Sequence, residues 1–366
     1  MTQALHPFED PLRRCLKLCD WPDQDQQAWK VALTPGDLLD GTVGPGQHWC
    51  PDTREKYRKG YGRWLTFLIT SGRCDRAASP AARITPAAVA AYIDELRTQI
   101  APWTLWGRLA ELLAVARALA HGEDWSWLRR LVGRLEANLQ PSKDKHVRLR
   151  PASEIYNWAL KQLRTIELDT PRRLAPVHYR DALAIALLIA CPTMRLRNLA
   201  MIEIGPHLVR LSDRYFLRFE ATEMKARKPV EVPVPDALTQ HLDRYISDVR
   251  QSLLARASPE TPQSERLWIT QYGEPMGEKM LYERIVVSTK RAFGTSINPH
   301  LFRDCAVTSV ALEDARHIGI AAPILGHTDL RTTEAHYIQA QQIAAGRKLQ
   351  ASLKTLRRYF QTRRPK

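Results

Sequence analysis

The chain has 366 residues, 44% of them hydrophobic, and its 54 Lys and Arg outnumber 39 Asp and Glu to leave a formal charge of +15. That length predicts two domains, each able to bury its own core, and the charge favours a polyanionic partner, nucleic acid or an acidic membrane surface. The longest apolar run, Ala182 to Cys191, falls well short of the roughly 18 residues that a spanning helix needs.

The opening segment, MTQALHPFEDPLRRC, carries acids early and has no apolar signal stretch, so the expectation is a cytoplasmic protein with nucleic acid as its polyanion. The six cysteines make no disulfide framework: Cys15 and Cys19 form a C-x3-C, and no second close pair completes a four-ligand zinc site. They are expected as reduced thiols.

Residues 1–50 are rich in Pro, Gly, Asp and Gln with little periodicity, and they read as a loosely ordered arm. From Asp52 the pattern changes. Asp52 and Glu55 stand at capping-box spacing ahead of Tyr57, Tyr61, Trp64, Leu65 and Leu68, which recur at helical period. Thr85-Pro86 reads as an N-cap with proline in the first helical position, followed by Val89, Ile93 and Leu96. Two further helices are expected over Trp103–His121 and from Asp124, the latter burying Leu128, Leu131, Val132 and Leu135. Residues 52–140 thus form a small helical bundle. Arg54, Lys56, Lys59, Arg129, Arg130 and Arg134 on its outer faces are candidates for phosphate contact or for a plain solvated face.

Residues 141–151 follow as a basic linker bounded by prolines. Lys143, Lys145, Arg148 and Arg150 stand there against a single acid, so the segment either tethers two units or lies along a phosphate backbone. Residues 152–340 read as a second, mostly α domain. Helices are expected at 153–166 and 177–191, and a short antiparallel sheet over about 206–234, where HLVRLS, YFLRFEA and PVEVPVP carry β-branched and aromatic residues. A long helix capped by Asp236, an extended piece at Leu267–Thr270 and a helix over Gly277–Phe293 come next. Residues 341–366 place Leu349, Leu353, Leu356 and Phe360 at helical spacing among Lys and Arg, an amphipathic tail helix whose apolar face must bury in this chain or on a neighbour. The fold class expected is mainly α, an N-terminal helical bundle plus a mostly α catalytic domain with a small antiparallel sheet.

The stretch Pro299 to Tyr337 concentrates chemistry: His300, Arg303, His327 and Tyr337 supply two imidazoles, a guanidinium and a phenol. H-x-x-R by itself is weak, because it also occurs at His207-Arg210, in an expected strand, and at His241-Arg244, in a polar helix. Only at His300-Arg303 do an L-G-H and a T-T-E-x-x-Y follow. These residue types suit phosphodiester attack. Guanidinium groups match the paired non-bridging oxygens where charge develops, and a phenol of pKa about 10 needs a base or positive surroundings to become a nucleophile. An imidazole can take its proton, and a lysine can give one to the leaving oxygen. With that much positive charge from side chains, the residues call for no metal and no other cofactor, and no acidic cluster stands out to bind one.

In this ordered set the chain resembles the tyrosine site-specific recombinases, the phage-integrase family, over roughly residues 52–350. C-P-T-M-R-L-R-N-L matches the family's first arginine box with Arg195, and Arg197 is the rival two residues on. M-K-A-R-K-P-V-E-V-P matches its hairpin lysine with Lys225; H-L-F-R, L-G-H and T-T-E-A-H-Y give His300, Arg303, His327 and Tyr337. Asn198, Pro192 and Asp304 depart from the usual residues without removing a catalytic group. The resemblance implies a core-binding domain at 52–140, a nucleophilic Tyr337, a 3′-phosphotyrosine intermediate made without metal or ATP, and double-stranded DNA as partner. It also implies a homotetramer assembled on DNA, with the tail helix docking on a neighbouring subunit. A type IB topoisomerase and a DNA-binding protein that keeps the fold without catalysis remain open beside it.

Overall fold

The computed structural model describes residues 14–36, 43–140, 146–169, 174–262 and 264–313. It divides into two compact units, Met1–Ser142 and Lys143–Lys366. The fold is mainly α with one small sheet, as expected from the sequence. Among the described residues no helix is long and apolar enough to cross a membrane.

The first unit contains α1 (Asp23–Ala32), α2 (Pro51–Thr70), the short α3 (Pro80–Arg83), α4 (Pro86–Gln99), α5 (Pro102–Leu119) and α6 (Ser126–Ala137). The four helices read from apolar spacing are α2, α4, α5 and α6. Thr85 caps α4 as its sequence indicates, its hydroxyl accepting from Ala88 N–H at 3.2 Å. The capping box expected at Asp52 and Glu55 does not form. The helix starts earlier, at Pro51 behind Cys50, so Asp52 lies inside the first turn, and Glu55 instead binds Arg58 at 2.7 Å and Lys59 at 3.2 Å.

The reading of residues 1–50 as a loose arm is corrected where they are described. Trp21 and Trp29 are buried in the core of the bundle, and Trp21 packs edge-on against Trp29 and Tyr61. Asp25 is fully buried, pairs with Arg83 and accepts from Tyr61 Oη at 2.6 Å. A helix as polar as DQDQQAWKVA gives little periodic signal, because it is held by two tryptophans and one buried ion pair.

The second unit is built around α8 (Ala175–Ala190), which is buried along nearly its whole length and packs against α7 (Ala152–Asp169), α11 (Arg250–Leu254), α12 (Glu278–Phe293) and α13 (Pro299–Glu313). The short α9 (Leu196–Met201) follows it. The sheet is a three-stranded meander, β1 (Leu208–Leu211), β2 (Arg214–Phe219) and β3 (Val230–Pro233) in the order β1-β2-β3. Both pairs are antiparallel, with Leu208 opposite Leu217 and Leu217 opposite Val232. The single long helix expected from Asp236 is interrupted: a 3-10 turn at Asp236–Leu238, α10 (Thr239–Arg244) and a π-type turn at Tyr245–Val249 precede α11. Tyr245, which begins the π-type turn, is buried, with its hydroxyl donating to Leu267 O at 3.0 Å. The extended piece at 267–270 anchors α9, since Trp268 Nε1 donates to Leu199 O at 2.7 Å and Leu267 N–H to Ile202 O at 2.8 Å.

Candidate active site

Two arginines distant in sequence meet at one turn. The apolar α8 ends at Ala190, and the chain reverses through a turn closed by Met194 N–H on Cys191 O at 3.1 Å. The residue after that turn is Arg195, which sits in extended backbone as the N-cap of α9 and is half-buried. Arg303 lies on the second turn of α13, buried to 5% exposure, and its Nη1 donates to Pro192 O at 2.5 Å and Thr193 O at 3.0 Å. Arg303 therefore clasps the turn that presents Arg195.

The pair consists of two partly buried cations. Burial, followed by the positive charge of Arg195, pushes the Arg303 guanidinium down to about 10, with Asp304 opposing. It stays protonated at neutral pH. Arg195 is also pushed down by burial. Two half-desolvated cations near one another favour a bound group with paired negative oxygens. Arg197, the rival first arginine, is exposed on α9.

The start of α13 is held by buried polar ties. Asn298 Oδ1 accepts from Leu301 N–H at 3.1 Å. Thr289, on α12 and fully buried, donates to Ile285 O at 2.8 Å and receives Ile297 N–H at 3.0 Å. His300 is the second residue of α13 and is exposed, one turn ahead of Arg303.

Lys225 lies in the loop joining β2 to β3 and is exposed, next to the buried Met224. Asn198 connects this loop to the arginine turn. Its Oδ1 accepts from Arg195 N–H at 3.2 Å, and its Nδ2 donates to Glu223 O at 3.3 Å and meets Met224 Sδ at 3.4 Å. Sequence reading registered Asn198 only as a departure from pattern; nothing local signals a bond that spans 25 positions. His327 and Tyr337 lie outside the described residues, as does the tail at 341–366.

The linker residues divide. Lys143 and Lys145 lie outside the described residues. Arg148 donates to Ser296 O at 2.7 and 3.0 Å, and Arg150 to Phe293 O at 3.4 Å, while Arg150 N–H meets Cys305 Sγ at 3.5 Å. Two residues on, Ala152 N–H donates to Ser309 Oγ at 2.7 Å. The end of the expected linker is thus fixed onto the second unit, its arginines bonded to backbone carbonyls at the end of α12 and the approach to α13. In the first unit, Arg54 donates to Trp49 O and Gln47 O, Lys56 pairs with Glu111 and Lys59 with Glu55, whereas Arg129, Arg130 and Arg134 are exposed on α6.

Comparison with known proteins bears on family and fold. Tyrosine recombinase XerD of Staphylococcus saprophyticus subsp. saprophyticus is 28% identical over 178 residues, 48% of this chain and 56% of the relative. The chain thus matches about half the length of that curated relative. Among solved structures, XerH site-specific recombinase bound to a palindromic difH substrate, a post-cleavage complex, is similar with a TM-score of 0.55 and 13% identity over 93% of this chain and 97% of that one. The Tn1549 transposon integrase in complex with circular intermediate DNA has a TM-score of 0.51 and 13% identity over 88% of this chain and 98% of that one. At those identities the likeness is one of fold. The model of the phage integrase family matches residues 160–343, half of the chain and the part that holds Arg195, Lys225, His300, Arg303, His327 and Tyr337, and the chain belongs to that family.

Proposed function

We propose that this protein is a site-specific DNA recombinase that cleaves and rejoins strands through a 3′-phosphotyrosine, and that Tyr337 is its nucleophile. The observation that supports the reading is the clasp of Arg303 on the turn that leads into Arg195, which ties two arginines distant in sequence to one turn. The family membership and the likeness to recombinases crystallised with DNA support it.

In this reading Arg195 and Arg303 bind the non-bridging oxygens of the scissile phosphate, and His327 donates to one of them. His300 takes the phenolic proton as the Tyr337 oxygen bonds to phosphorus. The bond from phosphorus to the 5′-oxygen breaks, and Lys225 gives that oxygen its proton. A 5′-hydroxyl from a partner strand reverses each step, so the covalent link conserves the bond energy and the exchange needs no ATP. The protein side chains supply the charge that a metal supplies elsewhere. Exchange between two duplexes uses four such sites, hence a homotetramer on DNA in the cytoplasm, with the tail at 341–366 docking on a neighbour.

The test is trapping on a nicked duplex whose cleavage releases a short strand, so that religation fails. A covalent adduct is expected with the wild-type chain and none with Tyr337→Phe. An adduct that survives Tyr337→Phe, or no adduct with any duplex from a genomic fragment library, rejects the reading. Joining of two marked duplexes separates recombination from the nicking and resealing of a single one.

A further inference from the structure

The loop that carries Lys225 has little of its own to hold it. Between Glu220 and Pro229 only Met224 is buried, and Arg227 adopts a left-handed backbone with φ of 53° although it is not glycine. A loop with one apolar anchor and a strained residue needs polar ties to keep one conformation.

Those ties converge on Glu223, two residues before Lys225. Its Oε2 accepts from Glu220 N–H at 2.8 Å within the loop. Its Oε1 meets His207 Nε2 at 3.0 Å. His207 is 8% exposed, and its ring stacks on Phe219 at 5.5 Å between centroids. The backbone N–H of Glu203 donates to His207 Nδ1 at 3.1 Å, so Nδ1 is the acceptor and Nε2 carries the proton that goes to Glu223. On the other side, the Glu223 carbonyl receives Asn198 Nδ2, and Asn198 Oδ1 receives the N–H of Arg195. Burial pushes the Glu223 carboxyl up, but the hydrogen bonds from His207 and Glu220 outweigh it and hold the group below the ordinary range.

A His–Glu pair that merely closes the start of a sheet would bond strand to strand. This one leaves the sheet for the loop, and the residue it grips is bonded in turn to the helix start that presents an active-site arginine. The chain of bonds therefore measures the separation between the Lys225 loop and Arg195.

We propose that Glu223, gripped by His207 through its side chain and by Asn198 through its carbonyl, is a positioning residue that sets Lys225 where it can protonate the leaving 5′-oxygen. The proposal rests on the recombinase reading above. The step it serves is balanced: the Tyr337 oxygen bonds to phosphorus, the bond to the 5′-oxygen breaks, and the proton moves from the Lys225 ammonium to that oxygen, leaving a neutral amine that takes a proton back from the attacking 5′-hydroxyl at religation.

The experiment compares two duplexes bearing the site recovered from the Tyr337 adduct. One is all-oxygen; the other has sulfur in place of the bridging 5′-oxygen, whose thiolate leaves without a proton. Glu223→Ala and His207→Phe are expected to slow cleavage of the oxygen duplex by about tenfold or more and to leave cleavage of the sulfur duplex at the wild-type rate. His207→Gln, which keeps a donor toward Glu223, is expected to recover most of the loss. Equal slowing on both duplexes, or no slowing on either, overturns the proposal; thermal unfolding of each variant separates a damaged fold from a misplaced lysine. Absence of any wild-type adduct rejects the recombinase reading itself, and the proposal with it.

Discussion

Arg303 Nη1 donates to the carbonyl oxygen of Pro192, 111 positions earlier in the chain, at 2.5 Å. The partner is an uncharged carbonyl, so the bond orients the guanidinium without neutralising it. The bond holds a buried cation on α13 against the turn of Arg195, whose positive charge adds to the cost of keeping Arg303 charged.

Sulfate or inorganic phosphate is therefore expected to stabilise the second unit by relieving that repulsion. Anions bound to the native state raise the melting temperature by mass action, about 2.7 kcal/mol at a concentration a hundredfold above Kd. A melting curve titrated with sulfate at constant ionic strength should rise for the wild-type chain and lose most of that rise in Arg195→Ala. An unchanged rise in Arg195→Ala would separate the anion effect from this pair.

Thr289→Val keeps the shape of a fully buried side chain and removes its hydroxyl. Ile297 N–H then loses its partner, and the connection from α12 to α13 loosens. The expected loss is about 1–3 kcal/mol in urea unfolding, with cleavage reduced as well because Arg303 rides on α13. A loss confined to stability would show that α13 keeps its place without Thr289.

In the first unit, Asp25→Ala leaves Arg83 buried without its carboxylate, since side-chain exposure in the pair is 1% for Arg83 and 0% for Asp25. A cost of about 3–5 kcal/mol is expected, read as a lower denaturation midpoint. A variant as stable as the wild type would show that residues 14–36 do not help to hold the bundle.

The depressed carboxyl of Glu223 carries a pH signature. A group held below its ordinary range adds stability above its unfolded value and loses it as pH falls through the folded one. The second unit of the wild-type chain should lose melting temperature on acidification below the ordinary carboxylate range more than Glu223→Gln does. Parallel curves for the two would mean that His207 and Glu220 do not favour the ionised form.

Much of this was legible in the sequence. Apolar spacing places α2, α4, α5, α7, α8 and α12 because each buries one stripe or, for α8, every side; Arg195 and Lys225 are proposed from the family resemblance, His300 and Arg303 from residue type and order as well. What spacing cannot show is where long polar side chains end. Arg148 and Arg150 read as free linker charges, yet they reach carbonyls at Ser296 and Phe293. Asn198 and His207 look incidental until the loop at 220–229 folds against them. α1 goes unread because two tryptophans and one ion pair do the work that a periodic stripe does elsewhere.

The central claim is that Tyr337 takes the DNA strand. The most direct measurement is mass spectrometry of peptides from the adduct trapped on a nicked duplex after nuclease digestion. The expected result is a nucleotide mass on the peptide holding Tyr337 through a 3′-phosphate, and no such peptide from Tyr337→Phe. A nucleotide on any other residue, or a 5′-phosphate linkage, would contradict it.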